Sequence, residues 1–425
     1  MTLPLHDLVE YARDHAPFFR DLYRDLPRSG WTLTDLPLID PASYWQQSQP
    51  LENWPVLTGP INGGHVFKTG GSTSEGRLSV FSCDEWRAFV RAFGQGLAQQ
   101  LQPGDRVANL FFAGDLYTSL LFIHGALSYS PVPVVEYPFT CSVDDQALAD
   151  AVVSLGINVL AGVPVQLLRF ASTLQQLDQS MPNIERLLYG GESLFTEQLT
   201  LLSTVFPNAR IGSIGCASVD AGLIGAAAPD CCHGEHRVFD TETIVEIIDE
   251  SSGQPITVPG QNGLLVVTNL QRRLMPVIRY PTGDMACWCE APGKPHRKFV
   301  LQGRAGSAHR VRVSTLSLFP DQIAHLLQQQ AGILAWQLLL SRQDGIDKIK
   351  LLLARDQSST LSTSTVSIHQ ALLAAQPAIA KLCCQGGLYV EVVDCALENM
   401  LTHPRSGKLM RVVDHRGYCV EEKAA

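Results

Sequence analysis

The stretch Arg106–Val135, RVANLFFAGDLYTSLLFIHGALSYSPVPVV, decides the fold. Arg106–Phe112 is a short apolar run of strand length. Leu116–Ser128 repeats its apolar residues at helical spacing, and Val132–Val135 is again short and β-branched. Strand, helix and strand joined by brief turns form the unit of a parallel sheet covered by helices. The pattern extends in both directions. Upstream, Asp84–Leu101 reads as a helix with Trp86, Phe89, Val90, Phe93 and Leu97 inward. Downstream, helices Val143–Leu155, Val165–Leu177 and Thr196–Phe206 alternate with strands Asn158–Ala161, Ile184–Tyr189 and Arg210–Ile214. These helix-then-strand units predict a doubly wound α/β core.

On either side the pattern changes. Leu5–Leu26 reads as an amphipathic helix bent or divided at Pro17. From Arg237 onward, strands Thr243–Asp249, Gly263–Asn269 and Met275–Tyr280 follow one another without helices, which predicts a small β subdomain. Beyond Gly303 come a helix at Pro320–Gln329, strands at Leu334–Ser341 and Lys348–Ala354, a helix at Thr365–Leu382 and a strand at Leu388–Val393. That set makes a compact α+β module, so the expected division is a large N-terminal domain over 1–303 and a C-terminal domain over 304–425.

Bulk properties narrow the function classes. With 41 acidic against 32 basic side chains in 425 residues, and no long Lys/Arg run, the chain lacks the basic face that nucleic acid requires. Asp7, Glu10 and Asp14 interrupt the first apolar segment, unlike a signal peptide, and no run reaches the roughly 18–20 apolar residues of a membrane span. A cytoplasmic enzyme with no membrane partner is the expectation. The 11 cysteines, an odd number spread along a long chain, point to free thiols or a metal rather than a disulfide framework.

Three segments carry chemistry. Phe67–Arg77, FKTGGSTSEGR, puts three glycines and four hydroxyl residues directly after an extended segment. Backbone N–H groups there can approach a phosphate closely, although a plain flexible loop has the same composition. It lacks the Gly-Lys-Ser/Thr ending of a Walker A loop. Arg279–Asp284, RYPTGD, ends in a carboxylate that can take both hydroxyls of a ribose. His403–Arg411, HPRSGKLMR, places one lysine in a turn. Taken singly, the last two also read as a capped turn and a solvated basic surface.

Their order resembles the acyl-adenylate-forming superfamily, and within it the phenylacetate-CoA-ligase-like branch. The resemblance runs from HAPFFRDLYRDLP and TLTDLPLID through TGGSTSEGR, YGGE (Tyr189–Glu192), CASVD (Cys216–Asp220), MPVIRYPTGD and LQGR to PRSGK. It implies ATP and Mg²⁺ as cofactors, a carboxylic acid substrate, and CoA or an acyl carrier protein as acceptor. Thr69, Gly70, Gly71, Ser72 and Thr73 would close over the phosphates. Gly190, Gly191 and Glu192 would form a wall of the adenine pocket, with Cys216 and Ala217 on the nucleotide-binding strand, and Asp284 seconded by Arg304 would hold the ribose. Asp220 stands where the family has a magnesium-binding glutamate, and Cys216 where it has a tyrosine. Lys408 matches the lysine that meets the reacting carboxylate and the α-phosphate.

Departures from the family pattern bear on the acceptor. Gly306 or Ser307 occupies the hinge position, and Val313, Ser314 or Thr315 that of the glycine lining the thiol tunnel, so an amine acceptor stands beside the thiol. Glu75 replaces a lysine in the phosphate loop, and with the altered hinge and Asp220 it leaves a degenerate nucleotide-binding scaffold as an alternative, against which the retained Asp284, Arg304 and Lys408 argue. The aromatic residues Tyr117, Phe122, Tyr129 and Tyr137 suit either a pocket for an apolar acid or a core. His65 and His124, with apolar neighbours, read as core or pocket-wall histidines. Cys232 and His236 with Cys287 and Cys289 admit a structural Zn²⁺, as in some relatives of this branch.

Overall fold

The computed structural model describes residues 4–69, 77–140, 142–192, 194, 196–304, 311–313, 316–318, 320–343, 346–356, 363–403 and 407–416. At its centre lies a five-stranded sheet in the order Val135–Pro138, Arg106–Asn109, Val159–Gly162, Arg186–Tyr189, Arg210–Ser213. Every pairing in it is parallel. The helices Cys83–Leu97, Ser119–Ser128, Asp145–Ser154, Pro164–Gln176 and Thr196–Val205 connect and cover it, as the alternation predicts. Because the first strand sits between the second and the third, the order reverses beside it. Open α/β sheets bind ligands at the carboxyl ends of their strands at such a reversal.

Next to this core stands a seven-stranded antiparallel sheet, larger than the expected subdomain. Its order is Thr243–Ile248, Asn262–Asn269, Val277–Trp288, Lys298–Arg304, Glu235–Val238, Gly222–Ala226, Cys216–Ser218. The last three strands are too short to announce themselves by periodicity, and the final two are also rich in small residues. The strand expected to end at Tyr280 continues to Trp288, and the register slips between Asp284 and Ala286. Gly283 there has φ +81°, so the Thr-Gly-Asp segment forms a bulge inside a strand rather than a turn after one.

The N-terminal helix divides at Ala16 into Leu5–His15 and Pro17–Leu22, because Pro17 cannot continue the first helix. Its buried face, Leu8, Val9, Ala12 and Phe19, joins Tyr44 and Trp54 in a core shared with the antiparallel sheet. The smaller C-terminal domain is a four-stranded sheet in the order Leu388–Asp394, Ile346–Arg355, Ile333–Gln343, Val412–Asp414. Pro377 splits the helix expected at Thr365–Leu382 into Thr365–Ala375 and Pro377–Cys384. The strand Val412–Asp414 was not expected from the sequence. It pairs in parallel with Ile333–Gln343 and carries the segment before it, with Lys408, towards the N-terminal domain. Among the described residues no helix is long and apolar enough to cross a membrane.

Candidate active site

The parallel strands end at Asn109, Gly162, Tyr189 and Ser213, and one or two residues further on Phe111, Val163, Gly190 and Ile214 line a single cavity. Another wall comes from the antiparallel strand pair Gly64–Lys68 and Leu78–Ser82 and the helix after it, Cys83–Leu97: Phe67, Phe81, Trp86, Phe89 and Phe93. Those helix residues face inward because they recur at helical spacing on the apolar side. Phe122 closes the group, its ring centre 4.6 Å from those of both Phe89 and Phe93. The cavity measures about 120 Å³ and its lining is mainly apolar.

At the mouth lie Gly191, Ala217, Ser218 and Lys408. Gly191 has φ +89°, and a methyl group in place of its hydrogen would stand 2.7 Å from Lys408 Cε. Only glycine therefore leaves the lysine room in its present position. Gly407 lies against the Phe112 ring just as closely: an added methyl would come within 1.5 Å of a ring carbon. Glu192 follows Gly191 and lies within electrostatic reach of Arg411, Lys408 and the Leu409 N–H of the C-terminal domain. Burial raises its pKa, opposed by Arg411 and then Lys408.

A polar network occupies the antiparallel side. Asp220 Oδ1 accepts from Ser218 Oγ at 2.5 Å and the Ala221 N–H at 3.0 Å, and Oδ2 accepts from the Tyr280 hydroxyl at 3.0 Å. That hydroxyl in turn accepts from Trp45 Nε1 at 3.0 Å and Arg77 Nη1 at 3.2 Å. Arg77 ends the glycine-rich loop, and the loop's two ends are tied. Thr69 N–H donates to the Arg77 carbonyl at 2.8 Å, and Arg77 N–H donates to Thr69 Oγ1 at 3.0 Å. The base of the expected phosphate loop thus stands two hydrogen bonds from Asp220. Asp284 and Arg304 are direct cross-strand partners. Gly70, Gly71, Ser72, Thr73 and Glu75 lie outside the described residues, as do Gly306, Ser307, Ser314 and Thr315.

Other sequence expectations part company with the structure. Cys232, His236, Cys287 and Cys289 do not assemble a zinc site: among the described residues no three His, Cys, Asp or Glu side chains are grouped to hold a metal ion. His236 is buried, 2.9 Å from Ser213 Oγ and near the Phe299 ring, whereas Cys232 is exposed. Cys287 is buried, with Gln302 Nε2 at 3.5 Å from its sulfur. Burial first, then the Glu235 carboxylate, pushes the Cys289 thiol up to about 12. Within a strand, neighbouring residues face opposite sides. Ala217 therefore reaches the cavity while Cys216 packs into the other core.

His124 is no core histidine. Its ring is exposed, with Nδ1 2.6 Å from Glu136. Tyr117 and Phe122 line the cavity, but Tyr129 is exposed and the Tyr137 hydroxyl takes a hydrogen bond from Arg106 Nε. Val313 is buried in the C-terminal domain's own core. Arg279, part of the RYPTGD motif, is structural, making two 2.9 Å contacts to buried Glu246. The sequence reading missed Phe67, Phe81, Trp86, Phe89 and Phe93 as cavity residues, although the spacing of the last three gave their inward direction.

No family model matches the chain. It is 22% identical over 439 residues to a phenylacetate-coenzyme A ligase of Thermus thermophilus, covering 97% of this chain and 95% of that one. It is 28% identical over 189 residues to an indoleacetate–lysine synthetase of Pseudomonas savastanoi, covering 43% of each. Among solved structures, 2-hydroxyisobutyryl-CoA ligase in its postadenylation state superposes with a TM-score of 0.72 at 18% identity, over 96% of this chain and 88% of that one. The same protein in its thioesterification state gives 0.64. The chain thus shares its fold with AMP-forming acyl-CoA ligases and resembles the acyl-adenylate-forming superfamily over nearly its whole length. Its particular likeness is to the phenylacetate-CoA-ligase-like branch.

Proposed function

We propose that the protein joins an aromatic or other apolar carboxylic acid to AMP, using ATP and releasing pyrophosphate, and then passes the acyl group to a thiol of CoA or of a carrier protein. One observation carries this reading: a mainly apolar cavity is lined by Lys408 and by Ser218 and Val219, the residues directly before Asp220. A carboxylic acid lodged by its apolar part would present its carboxylate to Lys408. An engineered cavity of roughly 150 Å³ takes up benzene, so about 120 Å³ favours one ring or a short branched chain over a long acyl tail.

In the first half-reaction a carboxylate oxygen attacks the α-phosphorus, and the bond to the bridging oxygen of the β-phosphate breaks. Two anions approach one another in a partly dehydrated cleft, so a fixed cation there lowers the barrier by several kcal/mol. Lys408, which lines the cavity, would supply that cation. Asp220 suits Mg²⁺, which proteins commonly hold by one or two carboxylates together with substrate phosphates. Three of its roughly four acceptor positions are filled, leaving one for the ion or its water. When bound, the ion would neutralise phosphate charge. In the second half-reaction the thiol attacks the acyl carbon, and the bond to AMP breaks. Neither step requires a nucleophilic side chain.

Residues 304–425 would act as a lid on a body of residues 1–303, bringing Lys408 in for adenylation and withdrawing it for transfer. The likeness to a lysine-coupling synthetase supports a second reading, in which the acceptor is an amine. Pyrophosphate exchange measured with aryl, arylacetic, fatty and amino acids tests the first step and supplies the acid. Product analysis with CoA, a carrier protein and lysine separates the acceptors. Silence with every acid, from folded protein supplied with Mg²⁺, would remove the adenylation reading.

A further inference from the structure

We propose that Thr118 selects, among acids with a single aromatic ring, those carrying a ring hydroxyl, which would form with the buried Thr118 hydroxyl the hydrogen bond that the protein itself does not supply. The inference rests on the adenylation reading above, which makes this cavity the acid's, and deepens it by naming the class of acid.

The cavity has three aliphatic hydroxyls in its lining, on Thr118, Ser119 and Ser218. The two serines are already bonded. Ser119 Oγ accepts the Phe112 N–H and donates to the Phe112 carbonyl, both at 3.1 Å, and Ser218 Oγ donates to Asp220 while accepting the Ala221 N–H at 2.9 Å. Thr118 is only 4% exposed, and its Oγ1 is buried with no hydrogen-bond partner among the described residues. It occupies the N-cap of helix Ser119–Ser128, where a threonine oxygen ordinarily accepts an N–H of the first turn, yet it makes no capping bond. The reason is local: the Leu120 N–H, the second of that turn, already donates to the Phe112 carbonyl at 2.8 Å. One turn on, the Phe122 N–H donates to the Thr118 carbonyl at 2.8 Å, and the Phe122 ring closes the cavity against Phe89 and Phe93. Residues four apart share a helix face, so Thr118 lies on the cavity's side. A buried hydroxyl without a partner destabilises a protein, and valine would fill the same space without that cost. Threonine takes two χ1 rotamers in helices, so its oxygen can turn towards a group lodged beside it. It can both donate and accept. A volume of about 120 Å³ suits one ring, on which a hydroxyl is the smallest substituent able to do the same.

The test measures binding to the full chain by calorimetry, for phenylacetate and for the ortho, meta and para hydroxyphenylacetates. In the wild type one of the three isomers should bind about tenfold more tightly than phenylacetate, the scale of one neutral hydrogen bond to an otherwise unpaired buried group. Thr118→Val keeps the shape and should bring that ratio close to one, whereas Thr118→Ser should keep most of it. Without ligand, Thr118→Val should melt about 2 °C higher, because it buries a methyl group in place of an unpaired hydroxyl. A lower melting temperature, or failure of this variant to fold, would show that the hydroxyl already has a partner inside the protein and would overturn the proposal. So would a ratio that Thr118→Val leaves unchanged, the absence of any preference in the wild type, or no binding of any of the four acids. Silence in pyrophosphate exchange with the binding preference intact would count against adenylation alone, since calorimetry reports the contact without turnover.

Discussion

On the parallel-sheet side of the cleft, Phe111, Val163, Gly190 and Ile214 stand just beyond strand ends. On the antiparallel side, Asp284 sits in a bulge within a strand and Asp220 in the turn after one. The first side shapes a volume, to which many side chains contribute and in which few are indispensable. The second fixes individual oxygen atoms through Ser218, Ala221 and Tyr280. Distributed packing tolerates substitution, whereas a single oriented charge does not. Lys408, from the C-terminal domain, stands between the two sides. The expected effects of substitution are ranked accordingly.

Lys408→Ala should cut pyrophosphate exchange by about a thousandfold, because nothing replaces the cation where the anions meet. Its melting temperature should stay at the wild-type value, since the side chain is only partly buried. Exchange near the wild-type rate would place the reacting carboxylate elsewhere. Asp220→Asn should cost about a hundredfold and raise the Mg²⁺ concentration needed for half-maximal exchange. Tyr280→Phe removes one of the groups that orient Asp220, together with the acceptor for Trp45 and Arg77, so about tenfold is expected. If the two variants are equally impaired, Tyr280 itself touches the substrate. Trp86→Ala should move the preferred acid to a larger ring and cost the best wild-type acid about tenfold, the scale of a few apolar contacts in a pocket. A loss spread evenly over all acids would show that Trp86 supports the fold rather than the choice of substrate.

What the sequence discloses divides along the same line. The parallel units are legible because each spans enough residues for a 3.6-residue or two-residue period to show. Asp220, Asp284 and Lys408 are candidates that their short motifs single out. The cavity is not, because periodicity tells that Trp86, Phe89 and Phe93 face inward but not that a void remains between them and Phe111. The three-residue strands Cys216–Ser218 and Val412–Asp414 are too short for any period. Cys232 and His236 are close in sequence, yet one is exposed and the other is buried in a strand. Glu192 is visible in its motif, but the cations within its reach come from more than two hundred residues later, and no local signal links them.

The smallest expected effect concerns the seam where the two sheets meet. His236, on the antiparallel strand Glu235–Val238, is 2.9 Å from Ser213 Oγ at the end of the last parallel strand. Burial lowers its pKa from 6.5 to about 4, so in the folded protein the ring is neutral over a range in which the unfolded chain takes up a proton. Between those values the unfolded state binds more protons, and stability must fall as pH drops from about 6.5 towards 4 while remaining whole above 6.5. The full difference is about 3 kcal/mol, which for a chain of this length corresponds to a fall in melting temperature of roughly 3 °C. His236→Gln keeps a polar partner for Ser213 but cannot titrate. Thermal melts of both proteins at pH 7 and pH 4.5 should therefore show a smaller acid-induced drop in the variant, whatever its starting stability. Equal drops would mean that the seam admits a protonated ring, and that the contact between the sheets is wetter than the burial of His236 implies.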